Sequence, residues 1–397
     1  MAALRQLFLS HVAQTSDAPL MLEIEKASGI YLFGSNGKKY LDLISGISVS
    51  NIGHCHPEVV KAIQQQAEKF MHLMVYGEYI HYPQVAYSKL LTEQLPEKLN
   101  SVYLVNSGAE ATEGAMKLAK RVTGRTEIVY CQNSYHGSTQ GALSVMGDEY
   151  FKNAFRPLLP DTKMIRYGVE EDLQHISEKT AAIIIEPIQA ESGVTVPNEN
   201  YLDKVRAQCD AQGALMILDE IQTGFGRTGK LFAFQHTNTV PDILLLAKGM
   251  GGGMPIGAFV SSVENMNLLT NNPVLGHITT FGGNSVTAAA AKATLEVLLQ
   301  TKVYEAAPQL ENIFRKRLQH NAIKQVRSKG LLMSLTFENF ETNKKIIDLC
   351  IENGVITDWF LFAPNCMRIA PPLIISSAEI NKGCDIILQA IETVCGK

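Results

Sequence analysis

The middle of the chain alternates short apolar runs with amphipathic segments, and this alternation limits the fold more than any other feature. Most of the runs lack strict polar alternation, which is typical of strands covered on both faces. The runs are SVYLVN (101–106), EIVYC (127–131), AAIIIEP (181–187), ALMILDE (214–220), DILLLAK (242–248) and IGAFVSS (256–262). Helical patterns lie between several of them, notably at 109–122 and 201–213. Strand–helix alternation predicts an α/β fold with a parallel sheet.

The two ends of the chain have a different pattern. Residues 22–43 contain short strand-like pieces around Asn36–Gly37, a pair that predicts a hairpin turn. A long helix is predicted in VTAAAAKATLEVLLQ, from residue 286, and mixed helix and strand follow it. We therefore expect three parts, which are an N-terminal segment (1–57), a large α/β domain (58–285), and a linking helix with a smaller α+β domain that the N-terminal segment joins (286–397).

Composition and charge exclude several classes of partner and site. A net charge of −4 gives no reason to expect nucleic acid or an anionic membrane as a partner. The chain has no run of about eighteen apolar residues, and its first twenty residues lack the apolar region of a signal peptide, so we expect a cytoplasmic protein. The seven cysteines form no CxxC pair. GHCH at 53–56 lacks an accompanying ligand set, so we expect no metal.

Lys248 stands at the end of an apolar run and directly before a cluster of glycines, in LLLAKGMGGGMPIG (244–257). A buried ammonium is costly unless it is paired or neutralised, and a lysine with a lowered pKa suits amine chemistry. The glycines would let a ligand approach the backbone closely. Taken alone, however, a lysine that emerges from a strand end into solvent is the commoner arrangement.

Three other stretches also follow apolar runs. Ser107 opens a helix with Glu110 three residues later, a capping-box spacing, and the start of a helix suits a phosphate. Asp219 ends a strand where α/β proteins bind ligands, and a protonated ring nitrogen would supply the partner that a buried acid needs. Tyr135, in the loop CQNSYHGSTQGA (131–142), could stack on a planar ring. Each also has an ordinary explanation, as a helix cap, a charged strand end or a surface aromatic.

GFGRTG (224–229) matches the G-x-G-x-x-G pattern of dinucleotide sites, with Asp242 at roughly the distance of a ribose-binding acid. The context differs from such a site. The first glycine comes five positions after Asp219, and KLFAFQHTNTVPD, which follows, contains turn-forming residues in place of an amphipathic helix. A nicotinamide-dependent dehydrogenase is therefore the weaker alternative.

In chain order, these stretches offer a phosphate cradle, a stacking aromatic, an acid for a ring nitrogen and a lysine for an aldehyde, which are the contacts that pyridoxal phosphate requires. The chain resembles the class III pyridoxal-phosphate aminotransferases, which include ornithine, acetylornithine and 4-aminobutyrate aminotransferases, from about Gly29 to Pro372. The motifs that carry the resemblance are GHCHPEVV (53–60), NSGAEATE (106–113), YHGSTQGAL (135–143), EPIQAESGV (186–194), LDEIQTGFGRTG (218–229), AKGMGGGMPIGA (247–258), TTFGGNSV (279–286) and RIAPPLII (368–375). The resemblance implies fold type I, with a large, mostly parallel sheet and a smaller α+β domain, and a homodimer.

The resemblance also implies a role for each site residue. Lys248 would hold the cofactor aldehyde in a Schiff base and then serve as base and acid, while Asp219 would keep the ring nitrogen protonated. Thr280 would reach the phosphate from the neighbouring subunit. The other cofactor-binding positions are Ser107, Gly108 and Ala109 at the phosphate, Tyr135 and Ile221 on the two ring faces, Gln222 near the ring hydroxyl, and His136 and Glu186 in two of the motifs.

Substrate choice rests on Arg368 and Glu191 in this resemblance. An arginine can bind a carboxylate through two parallel hydrogen bonds. In relatives the matching arginine either binds the α-carboxylate of an amino acid or is masked by the matching glutamate. This switch lets one pocket accept both an ω-amine and glutamate, so we expect ω-amino transfer to 2-oxoglutarate by a ping-pong route.

Two positions depart from the family pattern and leave the donor open. Ser138 stands where relatives acting on ornithine, acetylornithine or 4-aminobutyrate usually carry an arginine that grips the donor's carboxylate. Ile47 stands where ornithine aminotransferases place a tyrosine. Tyr76, Tyr79 and Tyr82 could line a more apolar pocket or belong to a dimer interface.

Other activities remain to be weighed against amino transfer. An acetylornithine or ornithine aminotransferase proper, or an aminomutase, racemase or decarboxylating relative, would use the same cofactor and fold. A requirement for a keto-acid acceptor separates a transaminase from the last three. A non-enzymatic protein with a retired site is disfavoured, because Lys248, Asp219 and Arg368 are all retained.

Overall fold

The N-terminal part of the chain forms a small antiparallel sheet in the computed structural model, which describes residues 4–396. Helix α1 (Leu4–His11) comes first, and the sheet that follows contains the strands β1 (Ile24–Ser28), β2 (Tyr31–Gly34) and β3 (Lys39–Asp42). The hairpin predicted at Asn36–Gly37 is confirmed, since β2 and β3 pair antiparallel around it. Gly37 has a φ of +78°, a conformation that glycine adopts at little cost.

Three helices lead from this sheet to the central one. They are α2 (Ser45–Ser48), α3 (Pro57–Lys69) and α4 (Tyr82–Thr92). The start of α3 is well specified, because Pro57 occupies the first helical position and the side chain of His56 accepts a hydrogen bond from the N–H of Glu58.

The central sheet has seven strands, and its middle strands are buried on both faces. The strands are β4 (Ser101–Val105), β5 (Glu127–Cys131), β6 (Thr162–Ile165), β7 (Thr180–Ile185), β8 (Leu215–Asp219), β9 (Ile243–Leu246) and β10 (Gly257–Ser261). Their spatial order is β4-β10-β9-β8-β7-β5-β6. All six apolar runs are confirmed as strands, and the prediction missed only β6, whose sequence TKMI contains no long apolar run.

The predicted mostly parallel sheet is confirmed, and one strand is the exception. β10 pairs antiparallel with both β4 and β9. Only residues 247–256 connect β9 to β10, and a parallel return needs a crossover of a dozen or more residues. The chain therefore reverses direction at this point. Because β10 separates β4 from β9, those two strands run the same way.

α5 (Gly108–Thr123) and α7 (Tyr201–Gln212) pack against the central sheet, while α6 (Gln140–Ser144) and α8 (Val263–Asn267) pack against α5. Both helices predicted from the pattern, at 109–122 and 201–213, are confirmed to within one residue at each end. α5 lies directly on the sheet, since a Cβ added to Gly114 would come within 2.3 Å of the Phe259 ring.

The C-terminal part begins with α9 (Ser285–Thr301), the long helix predicted from residue 286. The elements that follow are α10 (Ala307–Arg317), β11 (Gln325–Ser328), β12 (Met333–Thr336), α11 (Phe340–Glu352), β13 (Val355–Ile356), β14 (Asp358–Phe360), β15 (Ala363–Ile369) and α12 (Ser377–Cys395). Four of the strands form an antiparallel sheet in the order β11-β12-β15-β14.

The two ends of the chain meet in one sheet. β13 pairs in parallel with β3, so a C-terminal strand completes the N-terminal sheet. The division of the chain into domains, including the assignment of the first segment to the smaller one, stays a prediction. Within residues 4–396 no helix is both long and apolar enough to cross a membrane.

Candidate active site

A cavity of about 710 Å³ opens where several central strands end. β4, β5, β7, β8 and β9 run in the same direction, so their carboxyl ends lie at one edge, which is where open α/β sheets bind ligands. The predicted residues that line the cavity are Ser107, Gly108, Ala109, Tyr135, His136, Ser138, Glu186, Asp219, Ile221, Gln222 and Lys248. The structure therefore brings together residues from loops that lie far apart in sequence.

Lys248 follows β9 and enters the cavity in a constrained backbone conformation. Its φ is +47°, in the left-handed region that costs energy for a residue with a side chain. Its Nζ donates a hydrogen bond to Oε1 of Gln222 at 2.8 Å. Burial lowers the pKa of Lys248, although the carboxylates of Glu191 and Asp219 act in the opposite direction. The amine is thus closer to its neutral, nucleophilic form than an exposed lysine would be.

Asp219 is almost fully buried at the end of β8 and is held on both oxygens. Its Oδ1 accepts from the N–H of Ile221 at 2.9 Å, and its Oδ2 lies 2.6 Å from Nδ1 of His136. The other ring nitrogen of His136, Nε2, is buried without a hydrogen-bond partner. The ring of His136 therefore fixes the Asp219 carboxylate.

The start of α5 forms one wall of the cavity. The Oγ of Ser107 accepts from the N–H of Glu110, as expected for a helix cap. The predicted capping box is incomplete, because the Glu110 carboxylate accepts from the backbone and side-chain N–H groups of Asn106 and so bonds one residue too early. The first N–H groups of a helix have no partner within it, so this end of α5 can bind an anion.

Ile221 packs directly on that helix start. A Cβ added to Gly108 would lie 2.8 Å from Cδ1 of Ile221, so a larger residue would displace the isoleucine from the cavity wall. On the other side, a Cβ at Gly257 would lie 2.4 Å from the carbonyl oxygen of Ser107. Close packing at these two glycines fixes where the helix begins.

Glu186 connects two loops of the site. Its carboxylate accepts from the N–H groups of Tyr135 and Ala190, at 3.1 Å each. Burial, reinforced by the charge of Asp219, raises the pKa of Glu186 well above its ordinary value. Tyr135 in turn has its hydroxyl 3.2 Å from Oγ of Ser138. Glu186 therefore fixes the loop that presents Tyr135 and Ser138 to the cavity.

Arg368 and Glu191 form a buried pair beside the cavity. Nη1 and Nη2 of Arg368, on β15, donate to the two carboxylate oxygens of Glu191 at 2.8 and 3.1 Å. Burial alone would raise the pKa of Glu191, but the charge of Arg368 and its hydrogen bonds lower it below the ordinary value. The masked arrangement is thus the one that the structure adopts. Sequence reasoning missed Asp358, whose Oδ1 accepts from Nε of Arg368 at 2.9 Å.

Four predicted residues do not line the cavity, and two of them are the paired Arg368 and Glu191. Thr280 is exposed and does not line the cavity of its own chain. Ile47 is 37% exposed, has a φ of +64°, and does not line the cavity either. Tyr79 and Tyr82 are exposed as well, and neither contributes to the cavity wall.

The motifs GHCH (53–56) and GFGRTG (224–229) have structural roles. In the stretch 53–56, His54 lies 2.7 Å from Asp42, and within residues 4–396 no group of three or more His, Cys, Asp or Glu side chains could hold a metal ion. GFGRTG forms successive turns that no α-helix follows. Asp242 accepts from the N–H of Met216 and from Arg206, so it is engaged in packing the sheet.

Several cavity residues had not been singled out. They are Val49, Asn106, Gly137, Thr139, Ala247, Gly253, Met254, Pro255 and Ile256. Most are neighbours of predicted residues within the same motifs, so proximity in sequence was the available signal. Val49 comes from the N-terminal segment, and no pattern connected it with the cavity.

Comparison with known proteins identifies the family. Residues 12–391 match the family model described as Aminotransferase class-III. An acetylornithine aminotransferase of Methanopyrus kandleri is 36% identical over 366 residues, which cover 91% of this chain and 92% of the relative. The ornithine aminotransferase of Toxoplasma gondii, solved with partial occupancy of pyridoxal phosphate at its active site, superposes with a TM-score of 0.91 at 31% identity and covers 98% of this chain and 93% of its own.

An (S)-enantioselective omega-transaminase of Thermomicrobium roseum resembles this chain in structure as much as the ornithine aminotransferase does. It superposes with a TM-score of 0.91 at 27% identity and covers 98% of both chains. The match therefore extends over nearly the whole fold, including the central sheet and both ends of the chain. This chain belongs to the class III aminotransferases and is a pyridoxal-phosphate-dependent transaminase.

Proposed function

We propose that this transaminase moves an ω-amino group from an amine or amino-acid donor to 2-oxoglutarate, in two half-reactions at the cavity described above. The observation that carries the proposal is the closed Arg368–Glu191 pair beside Lys248. The closed pair presents no free charge to an amine, and an opened pair would free Arg368 to bind a carboxylate. The likeness to an omega-transaminase and to ornithine aminotransferases supports ω-amino transfer.

The cavity fits pyridoxal phosphate on two observations. Nε2 of Gln222 and Nε2 of His136 are buried polar atoms without partners, as expected where a polar ligand belongs. The start of α5 presents N–H groups that suit a phosphate. When bound, the cofactor supplies an aldehyde for amine exchange and a protonated ring that accepts electrons.

We assign the cofactor contacts on this basis. Ser107, Gly108 and Ala109 bind the phosphate at the start of α5, while Tyr135 and Ile221 contact the two faces of the ring. Asp219 keeps the ring nitrogen protonated, because its carboxylate is fixed by His136 and is available as a counter-charge. Glu186 acts on the cofactor through Tyr135, whose N–H it binds.

Lys248 carries the proton transfers in the proposed mechanism. Its lowered pKa makes the neutral amine available to hold the cofactor aldehyde covalently. Once a donor displaces it, Nζ takes the proton from the carbon that bears the donor's amino group. Gln222 keeps Nζ oriented through the hydrogen bond of 2.8 Å until the cofactor or substrate replaces that contact.

Arg368 binds the acceptor. While Glu191 occupies the guanidinium, the site accepts an amine. The α-carboxylate of 2-oxoglutarate then takes the same two N–H positions as Glu191 moves away. Glutamate-dependent activity that is lost in Arg368→Ala but present in the unaltered protein supports this step, and equal activity in both contradicts it.

The assembly that we propose is a homodimer with shared active sites. Exposed apolar side chains cluster on two segments that lie against each other, since the rings of His72 and Phe281 are 4.8 Å apart and Asn284 donates to the carbonyl of Met71. The exposed side chains on these segments are Met71, Leu73, Met74, Tyr79, Ile80, Tyr82, Val85, Val274, Leu275, Ile278 and Phe281. A patch of this kind marks a protein interface. Thr280 lies within it, where it can reach the phosphate of the partner subunit.

An absorption spectrum tests the proposed function most directly. The purified protein should show a band near ~420 nm that is absent in Lys248→Ala. A competent donor should bleach this band, and 2-oxoglutarate should restore it. A protein that binds the cofactor but is bleached by no amine, or is restored by no 2-oxo acid, would refute the proposal.

A further inference from the structure

Arg368 has a second set of contacts that does not involve Glu191. Its Nε donates to Oδ1 of Asp358 at 2.9 Å, and its Nη2 donates to the carbonyl oxygen of Trp359 at 3.0 Å. Its Cζ lies 4.5 Å from the centre of the Phe360 ring. All three contacts come from β14, which pairs antiparallel with β15 so that Asp358 stands opposite Arg368.

The two carboxylates use different edges of the guanidinium. Glu191 takes the end formed by Nη1 and Nη2, whereas Asp358 takes Nε. The Arg368 side chain is only 2% exposed, so a loss of Glu191 without replacement would leave a buried cation. A buried guanidinium is costly to leave without hydrogen-bond partners. Asp358 keeps an acceptor on Nε when Glu191 leaves, and its own side chain reaches solvent with 21% exposure.

We propose that Asp358 is a positioning residue for substrate choice, which holds the Nε edge of Arg368 so that the free end stays aimed at the cavity while Glu191 is exchanged for the carboxylate of a 2-oxo acid. The inference rests on the proposed function, since it concerns how the acceptor is bound. In this inference only the Glu191 side chain moves when the carboxylate of the 2-oxo acid binds. Arg368 stays in place because β14 holds its Nε edge, which Glu191 does not contact.

Two substitutions of Asp358 compare a side chain that keeps the hydrogen bond to Nε with one that removes it. Asp358→Asn keeps an oxygen that can accept from Nε, and its amide N–H groups can face solvent. Asp358→Ala removes the acceptor. A hydrogen bond to a charged group corresponds to roughly tenfold in binding, so Asp358→Ala should raise the KM for 2-oxoglutarate about tenfold with kcat unchanged. Asp358→Asn should remain within about threefold of the unaltered protein.

The two half-reactions are followed separately by cofactor absorbance. Because Glu191 covers Arg368 when an amine is bound, the cofactor absorbance band should disappear at the same rate in all Asp358 variants when an amine donor is added. Asp348→Ala serves as a control, because Asp348 is a carboxylate of the same part of the chain that pairs with Lys344 on the surface. If Asp358→Ala does not fold, Asp358→Ser, whose hydroxyl is too short to reach Nε, takes its place.

The possible outcomes distinguish this inference from the proposed function. Equal KM values for 2-oxoglutarate in all Asp358 variants, together with loss of acceptor binding in Arg368→Ala, would overturn the role of Asp358 alone. A KM in Asp358→Asn as high as in Asp358→Ala would also overturn it, because charge would then matter and the hydrogen bond would not. An Arg368→Ala variant with normal acceptor kinetics would instead refute the proposed function.

Discussion

Glu191 and Arg368 join the loop after β7 of the central sheet to β15 of the C-terminal sheet through two hydrogen bonds, 2.8 and 3.1 Å long. Both side chains are nearly free of solvent contact, at 5% and 2% exposure. A buried pair of this geometry contributes little net stability, but it is strongly disrupted when one partner is removed. Stability therefore does not account for the burial of this pair, which leaves the proposed role in binding carboxylates.

Glu191→Gln should favour the acceptor over the amine. The amide cannot form a charged pair with Arg368, so a substrate carboxylate no longer competes with an internal one. We expect the KM for 2-oxoglutarate to fall about fivefold to tenfold, and the half-reaction with a carboxylate-free amine to slow by a similar factor. Steady-state kinetics with each substrate varied in turn checks both effects. An unchanged KM would show that Glu191 does not compete with the substrate.

The pH dependence of cofactor attachment should reflect the lowered pKa of Lys248. Only the neutral amine attacks an aldehyde, and a pKa below the ordinary 10.5 makes that form available at lower pH. The rate of appearance of the band near ~420 nm, after pyridoxal phosphate is added to cofactor-free protein, should therefore level off below pH 10.5. Glu191→Gln removes a carboxylate that raises this pKa, so its profile should shift to lower pH. A rate that still rises steeply through pH 10.5 would contradict the expected direction.

The features that could be predicted from sequence are those that follow an apolar run. Lys248 and Asp219 each end such a run, and parallel strands bring their carboxyl ends to the same edge of the sheet. The local pattern therefore singled out Lys248, Asp219, Ser107 and Tyr135, and the family motifs added the other cofactor contacts and the substrate-binding pair.

What could not be predicted depends on pairing between distant or irregular elements. Asp358 contacts Arg368 only because β14 and β15 pair, with an irregular register after Trp359, and no local pattern encodes that register. The direction of β10 depends on the length of a loop, and β6 is too polar to resemble a buried strand. A carboxylate that supports a site from a neighbouring strand thus becomes visible only in three dimensions.

Gly114→Ala should destabilise the fold although alanine favours helices. The new Cβ would lie 2.3 Å from the Phe259 ring, which is fully buried and stacked on Tyr103 at 4.8 Å, so the ring has no room to move. Overpacking of this kind costs about 1–3 kcal/mol, more than the helix propensity gained. Urea unfolding measures the free energy of unfolding. Gly383→Ala in α12 is the matched control, since its Cβ would meet only flexible leucine side chains, at 3.2 and 3.5 Å. Equal stabilities of the two variants would argue against tight packing of α5.

Ser138→Arg tests whether the donor differs from those of relatives with an arginine at this position. Ser138 lines the cavity, and its Oγ lies 3.2 Å from the Tyr135 hydroxyl, so an arginine here would place a cation beside the bound donor. We expect kcat/KM for donors with a distant carboxylate, such as acetylornithine and 4-aminobutyrate, to rise about tenfold, and that for carboxylate-free amines to fall or stay unchanged.

Ser138→Gln separates the charge from the size of the new side chain, because glutamine is long and polar but uncharged. A gain in Ser138→Arg that Ser138→Gln lacks would show that the unaltered site selects donors by having no cation at this position. An equal gain in both variants would mean that space and hydrogen bonding decide. No gain in either variant would show that the far end of the donor does not contact the side chain at position 138.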